Sequence, residues 1–142
     1  MLTITRDLYD RIVAHARKDH PDEACGAIAG PDDGSDRPER FIPMLNEARS
    51  PTFYQYSSDG LYALYEEMRV RDEVPVVFYH SHTGTEAYPS RTDISYANEP
   101  YTHYVIVSTA DTEGLGEFQF RSFRIQEGEV TEEEEVKIVD AY

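Results

Sequence analysis

Two histidines, a serine and an aspartate lie close together in the middle of the chain, as His80, His82, Ser90 and Asp93. Residues 74–79, just before them, form an almost unbroken apolar run, which is typical of a strand buried on both faces. Side chains two apart on a strand point the same way, so both imidazoles can face one point. The Pro-Ser-x-x-Asp sequence that follows is typical of a helix start. If the loop after the strand turns back toward the strand end, this helix start places the Asp93 carboxylate beside the two imidazoles. Two imidazoles and one carboxylate, with water in the fourth position, are a ligand set of catalytic zinc.

Each of these residues also has an ordinary structural interpretation. Ser90 is a good helix N-cap, and an aspartate in the first turn complements the positive end of a helix. The two histidines can simply be hydrogen-bonded residues at a strand end. The occurrence of His-x-His and Ser-x-x-Asp around one strand end favours the metal site, although short motifs also arise by chance.

An acidic residue far upstream, Glu23, is a candidate general base. It precedes residues 24–29, whose small and apolar side chains are typical of a buried strand. A carboxylate at the mouth of such a strand needs a cation or a metal-bound water to compensate its lost hydration. Most isolated glutamates are surface residues. Only the downstream motif favours a general base over a surface residue at Glu23. Cys25, the single cysteine, is predicted to pack as a small hydrophobic residue rather than to act as a nucleophile.

The composition predicts one globular domain over residues 1–142. The net charge of −15, from 28 acidic and 13 basic residues, disfavours binding to nucleic acid phosphates. No stretch is long and apolar enough to cross a membrane, and the N-terminus lacks the basic and apolar segments of a secretory signal. Together with the single cysteine, these features predict a protein of the reducing cytoplasm with no membrane attachment.

Hydrophobic periodicity and turn residues predict the elements that position these side chains. The predicted helices run from Thr5 or Asp7 to about Lys18, from residues 57–59 to about Val70, and from Asp93 to about Asn98. The four consecutive glutamates at 132–135 are predicted to be a solvent-exposed charge run. The predicted strands are residues 24–29, 41–45, 53–56, 74–79, 104–108 and 118–125, with a last strand near Val130 or at 136–139.

The spacing of the chemical residues resembles a known signature. His80-x-His82, then seven residues, then Ser90-x-x-Asp93, with Glu23 far upstream, is similar to the JAMM motif of the MPN+ metalloproteases. The resemblance implies an α/β fold, with a mixed central sheet flanked by helices, related in outline to the cytidine deaminases. It also implies one Zn²⁺ held by the two histidines and the aspartate, and hydrolysis of peptide or isopeptide bonds next to ubiquitin-like tails.

Longer stretches extend the resemblance from near Met1 to near Tyr142. They resemble the actinobacterial members of this family that release cysteine from the C-terminus of a small sulfur-carrier protein, in cysteine biosynthesis. The resemblance implies that a ubiquitin-like sulfur-carrier protein is the substrate. The stretches are AHARKDHPDEACGAIAGP, SDRPERFIPMLNEARSPTFYQYS and VPVVFYHSHTGTEAYPSRTD.

The site as a whole predicts a zinc hydrolase. Zinc lowers the pKa of its bound water to near 7, Glu23 takes the proton as general base, and Ser90 donates to the developing oxyanion. A general isopeptidase of the same family is the alternative. A nucleobase deaminase would need an H-x-E and a later P-C-x-x-C sequence, which are absent. An iron oxygenase would leave Glu23 unexplained. A non-catalytic module for a ubiquitin-like protein would be expected to have lost a ligand.

Substrate contacts are predicted around the histidine loop. Residues 53–56 and 83–88 are candidates for a groove that grips an extended tail by strand addition, with Thr83 and Tyr88 as contacts. Release of one amino acid requires a site for its free α-carboxylate. Arg91, beside Ser90, can bind a carboxylate with two parallel hydrogen bonds, and a plain surface residue is the alternative.

Overall fold

The computed structural model describes residues 1–110 and 119–142. None of the described helices is long and apolar enough to cross a membrane. The elements follow in the order β1 (Leu2–Thr5), α1 (Arg6–Asp19), β2 (Cys25–Pro31), β3 (Arg40–Met44), α2 (Ser58–Val70), β4 (Glu73–His82), α3 (Arg91–Tyr96), β5 (His103–Ser108), β6 (Gln119–Gln126), β7 (Glu129–Glu134) and β8 (Val136–Val139).

The main sheet has six strands in the order β3-β2-β4-β5-β6-β7. β4 pairs antiparallel with β2 and parallel with β5, so the sheet is mixed and β4 lies inside it. β1 and β8 form a separate parallel pair. The predicted α/β architecture, a mixed sheet flanked by helices, is confirmed.

The two faces of β4 bury different helices. Val77 and Tyr79 share a core cluster with α1 residues such as Ile12, whereas Phe78 packs with Leu64 and Met68 of α2. Alternation along a strand produces this division, because successive side chains point to opposite faces. The same alternation continues to His80 and His82, which therefore emerge on the face that Phe78 shares with α2.

Polar N-cap residues mark the starts of α1 and α2, as the sequence predicted. The Thr5 hydroxyl accepts from the Leu8 N–H at the start of α1, and the Ser57 hydroxyl accepts from the Gly60 N–H at the start of α2. Each bond satisfies a backbone donor that has no partner inside the helix.

Two expectations about the elements need correction. Residues 53–56 form no strand, and only Tyr56 makes an isolated bridge, to Asn46. The buried Asn46 side chain takes the place of a neighbouring strand, because its Nδ2 donates to the Phe53 carbonyl and its Oδ1 accepts from the Gln55 N–H. β1 was absent from the expected elements, since its four residues are defined by pairing with β8 at the other end of the chain. Residue 118, the first of a predicted strand, lies outside the described residues.

The glutamate run at 132–135 is also not uniformly exposed. Residues 129–134 form β7, and the Glu134 side chain is fully buried. Its carboxylate lies 2.7 Å from His103 Nδ1 and accepts from the Ser122 hydroxyl at 2.8 Å, while Arg124 lies 3.4 Å away. Burial alone raises the pKa of this carboxyl, but the bonds from His103 and Ser122 and the charge of Arg124 bring it to about 2.

This cluster predicts acid sensitivity. The folded pKa of about 2 lies below the ordinary value of 4.5, so Glu134 stabilises the fold fully above about pH 4.5 and loses this effect as the pH falls toward 2. Glu134→Gln should lower the free energy of unfolding at pH 7 by about 3 kcal/mol and flatten its decline below pH 4.5, in urea titrations at several pH values. Glu133→Gln, which removes an exposed pair with Arg121, is the control and should change stability by at most about 0.5 kcal/mol.

Candidate active site

The register of β2 against β4 brings Glu23 to the histidines. Cys25 pairs with His80 across the two strands. One residue outward, the Ser81 N–H donates to the Ala24 carbonyl at 3.0 Å, and the Ala24 N–H donates to the Ser81 hydroxyl at 2.8 Å. The next position therefore places Glu23 opposite His82, although the two are 59 residues apart in sequence.

Three ligand-type atoms converge at the end of β4. His80 Nε2 and His82 Nε2 lie 3.3 Å apart, and Asp93 Oδ2 lies 3.1 and 3.0 Å from them. A capping box at the start of α3 holds the carboxylate: the Ser90 N–H donates to Asp93 Oδ2 at 2.8 Å, and the Asp93 N–H donates to Ser90 Oγ at 3.1 Å. All three converging side chains are buried.

The tautomer of His82 directs a lone pair toward the Asp93 carboxylate. His82 Nδ1 lies 2.8 Å from the Glu86 carbonyl oxygen, which can only accept, so Nδ1 carries a hydrogen. In the neutral ring Nε2 then presents a lone pair, and this lone pair faces the Asp93 carboxylate. A cation between two such electron-rich atoms, either a second proton or a metal ion, stabilises this arrangement. A metal-ligating histidine that donates its other N–H to a carbonyl is a common arrangement.

The pKa shifts in the cluster are consistent with a cation between the imidazoles and the Asp93 carboxylate. Burial lowers the pKa of His80, which keeps that imidazole neutral and able to ligate. Burial acts in the same direction on His82, but its bonds to Asp93 and to the Glu86 carbonyl raise the pKa overall. Burial raises the pKa of the Asp93 carboxyl, and the hydrogen bonds of both imidazoles outweigh it and hold the pKa far below its usual range.

The distances fit a zinc ion. Zinc binds imidazole nitrogen and carboxylate oxygen at about 2.0–2.2 Å, which separates the ligands of a tetrahedral site by about 3.3–3.6 Å. The three separations of 3.0, 3.1 and 3.3 Å are close to that value before any adjustment of rotamers. His80, His82 and Asp93 therefore have the donor types, the convergence and the burial that zinc requires.

Glu23 lies beside this cluster as a second carboxylate. A carboxylate oxygen of Glu23 and one ring nitrogen from each of His80 and His82 lie within 4.8 Å of one another, so Glu23 is an alternative to Asp93 as third ligand. Asp93 is the better candidate because its Oδ2 contacts both imidazoles directly. Burial raises the pKa of Glu23 to about 7, which suits a group that accepts and returns a proton near neutral pH.

A cleft of about 550 Å³ opens at this cluster. Its lining includes Glu23, His82, Asp93 and Ser90, together with residues 51–54 on one side and 83–85 on the other. The Thr83 hydroxyl donates to the Pro51 carbonyl at 2.5 Å and links the two sides. The structure thus brings Glu23, His80, His82, Ser90, Asp93 and Thr83 together.

Tyr88 and Arg91 do not line the cleft. The Tyr88 ring packs edge-on against Phe123 and lies under the Arg121 guanidinium. Arg91 is the exposed first residue of α3. Tyr54 lines the cleft and belongs to the segment 53–56 that the sequence offered for a substrate groove, although that segment is not a strand.

The chain is similar in sequence to known proteins along most of its length. Residues 5–126 match the sequence profile described as "Prokaryotic homologs of the JAB domain". The chain is 57% identical over 142 residues to the CysO-cysteine peptidase of Mycobacterium tuberculosis (strain H37Rv), which covers 100% of this chain and 94% of that protein. It is 32% identical over 112 residues to the desampylase of Haloferax volcanii, covering 75% of this chain and 80% of that protein.

Solved structures share the fold. A protein from Desulfitobacterium hafniense superposes with a TM-score of 0.81 at 33% identity, covering 99% of this chain and 94% of that one. A JAB1/MPN domain protein from Archaeoglobus fulgidus superposes with a TM-score of 0.60 at 21% identity, covering 97% of both chains. The JAMM/MPN fold that the sequence resemblance implied is confirmed.

The cluster predicts stoichiometric metal binding. The purified chain should bind one Zn²⁺, and His82→Ala should weaken binding by about 10²-fold or more, because it removes a ligand rather than an outer partner. Glu23→Gln should bind zinc as the wild type does. Competition with a chromophoric chelator measures all three, and His20→Ala, at an exposed histidine outside the cluster, is the control. Zinc bound equally well by His82→Ala would contradict the assignment.

Proposed function

This chain belongs to the family of prokaryotic homologs of the JAB domain, and from that premise we propose that it is a zinc-dependent peptidase that releases cysteine from the C-terminus of a ubiquitin-like sulfur-carrier protein. The observation that carries the proposal is the convergence of His80, His82 and Asp93 on one point, with the Glu23 carboxylate beside them. The substrate is inferred from relatives that match along the whole chain and bear the name CysO-cysteine peptidase.

His80, His82 and Asp93 would hold the metal. A bound zinc ion with an open position lowers the pKa of its water to about 7 and polarises a carbonyl group. The protein side of the site is preorganised for this role, because the Glu86 carbonyl fixes the His82 tautomer and the capping box fixes the Asp93 carboxylate.

Glu23 is placed to take the proton of the attacking water. Its pKa of about 7, raised by burial, makes it a competent base at neutral pH and lets it return the proton to the departing amine. Its backbone is fixed on both sides: its N–H donates to the Ser50 carbonyl at 2.8 Å, and its carbonyl accepts from Asn46 Nδ2 at 3.0 Å.

The Ser90 hydroxyl is the proposed donor to the oxyanion. Its oxygen accepts from the Asp93 N–H, which leaves the hydroxyl hydrogen for a second partner. A carbonyl oxygen in the cleft is such a partner, and a donor of this kind binds the developing negative charge more strongly than the ground state.

Arg91 is the proposed contact for the carboxylate of the released cysteine. It follows Ser90 directly, and the described part of the chain holds no partner for its guanidinium. By contrast, Arg69 and Arg121 are paired with glutamates. In a chain of net charge −15, an unpaired guanidinium next to the cleft is suited to bind an anionic substrate end.

The carrier's tail would reach the site between residues 51–54 and 83–85, past the hydrogen bond of Thr83 to Pro51. We also propose that this reaction occurs in the cytoplasm, where the buried, unpaired Cys25 remains reduced.

A second function within the same family is a general peptidase that removes ubiquitin-like modifiers. The match to a desampylase favours it, although over a smaller part of the chain and at lower identity. A non-catalytic binding module is a weaker candidate, because all three ligands, the base and the oxyanion donor are present and converge.

Ser90→Ala separates an oxyanion donor from a helix cap. Loss of the donor should lower kcat by about 10²-fold. Loss of the N-cap bond alone should cost about 1 kcal/mol of stability and leave kcat unchanged. Measurements of kcat and melting temperature distinguish the two, with Ser95→Ala in the same helix as the control, since its hydroxyl only donates to the Thr92 carbonyl.

Substrate specificity is tested with three forms of one carrier protein: ending in cysteine, ending in cysteine amide, and extended by several residues beyond the cysteine. Intact mass should show rapid cleavage of the first form only, with the amide slower by about tenfold or more because it lacks the carboxylate that Arg91 binds. Arg91→Gln should reduce cleavage of the free acid to the rate of the amide. Arg11→Gln, an equal charge change on exposed α1, should leave it unaltered.

Equal cleavage of the cysteine-ending and extended carriers would overturn the proposed specificity. Cleavage of neither carrier, together with activity on linked ubiquitin-like chains, would also overturn it. Either result would establish the general peptidase instead.

A further inference from the structure

The face of one ligand imidazole is covered by an aromatic ring. The Tyr54 and His80 rings are stacked, with centroids 4.3 Å apart and an interplanar angle of 20°. Tyr54 is only 7% exposed, yet it lies 26 residues from His80 in sequence and belongs to a segment without regular secondary structure. The contact therefore depends on a loop being held accurately against the end of β4.

The two ligand histidines are supported in different ways. His82 has its second ring nitrogen 2.8 Å from the Glu86 carbonyl oxygen, which fixes the ring plane. His80 has a flat aromatic neighbour, which restricts tilting of its ring and thereby the direction of the Nε2 lone pair. The Tyr54 ring can thus fix the orientation of the His80 imidazole, as the Glu86 carbonyl fixes that of His82.

Tyr54 is itself held on several sides. The preceding carbonyl, of Phe53, accepts from Asn46 Nδ2 at 2.9 Å, and the following N–H, of Gln55, donates to Asn46 Oδ1 at 3.0 Å. Its ring meets the Tyr56 and Tyr96 rings nearly edge-on, with centroids 5.5 and 6.3 Å away. A ring pinned in this way can orient its neighbour rather than follow it.

The electronic character of the stack favours the metal-bound state. An imidazole that ligates a cation shares part of its positive charge, and the face of a tyrosine ring is electron-rich. The stacking attraction is therefore stronger when His80 holds a metal than when it is free. An interaction that strengthens on binding raises affinity, in addition to the entropy saved by orienting the ligand beforehand.

We propose that Tyr54 is a positioning residue of the metal site, whose ring orients the His80 imidazole through the stack and raises metal affinity. The inference rests on the proposed metal site. The effect comes from the ring and not from the hydroxyl, so phenylalanine should replace tyrosine without loss of zinc affinity.

Zinc affinity, measured by chelator competition on metal-free protein, tests this inference. Tyr54→Leu should weaken zinc binding by about tenfold or more, the size found when an outer partner of a ligand is removed. Tyr54→Phe should bind within about twofold of the wild type. Tyr62→Leu is the control, because it makes the same change at an exposed tyrosine of α2 and should leave zinc affinity unchanged.

The melting temperature of each metal-free variant is measured first, and Tyr54→Met, which retains more side-chain volume, replaces Tyr54→Leu if the latter does not fold. Unchanged affinity in the folded Leu or Met variant, or equal losses in Tyr54→Leu and Tyr54→Phe, would overturn the role of the ring. Absence of zinc binding in the wild type would instead overturn the proposed function.

Discussion

A buried carboxylate facing two imidazoles is the constraint on which the site depends. Asp93 Oδ2 lies about equally far from His80 Nε2 and His82 Nε2, at 3.1 and 3.0 Å. Removing such a charge from water is costly unless cations and donors compensate it. The Ser90 N–H supplies one donor through the capping box, and the fixed tautomer of His82 leaves a lone pair that requires a cation. The short helix α3, the loop before it and the end of β4 are thus arranged around one place for a positive charge.

A second constraint holds the opposite side of the cleft. The buried Asn46 side chain donates to the Glu23 and Phe53 carbonyls and accepts from the Ala48 and Gln55 N–H groups. One amide therefore fixes the backbone of the proposed base and, through residues 53 and 55, the position of Tyr54. Such fully satisfied buried polar groups specify a single local structure, because any shift leaves a buried donor or acceptor without a partner. This side of the site is built from loops whose backbone is bonded by one buried side chain.

Sequence patterns predicted that the proposed metal ligands lie close together, but they missed several contacts in the framework. His80, His82 and Asp93 could be found because the two-residue period of a strand and a helix start are local patterns. The strand expected at residues 53–56 is absent because the side chain of Asn46, on the preceding loop, bonds that backbone instead of a strand. Burial of Glu134 within a glutamate run depends on His103, 31 residues away. Contacts of this kind arise from the tertiary fold and leave no local periodicity to detect.

In the proposed reaction, Glu23 activates water to hydrolyse the bond between a carrier protein and cysteine at a metal held by His80, His82 and Asp93. The most direct measurement is incubation of the carrier–cysteine adduct in ¹⁸O-labelled water with zinc-loaded wild type and zinc-loaded Glu23→Gln, followed by intact mass of both products. We expect one ¹⁸O atom in the new carrier carboxylate, unlabelled cysteine, and turnover reduced by about 10²-fold or more in Glu23→Gln. Unlabelled carrier product, or normal turnover by Glu23→Gln, would contradict it.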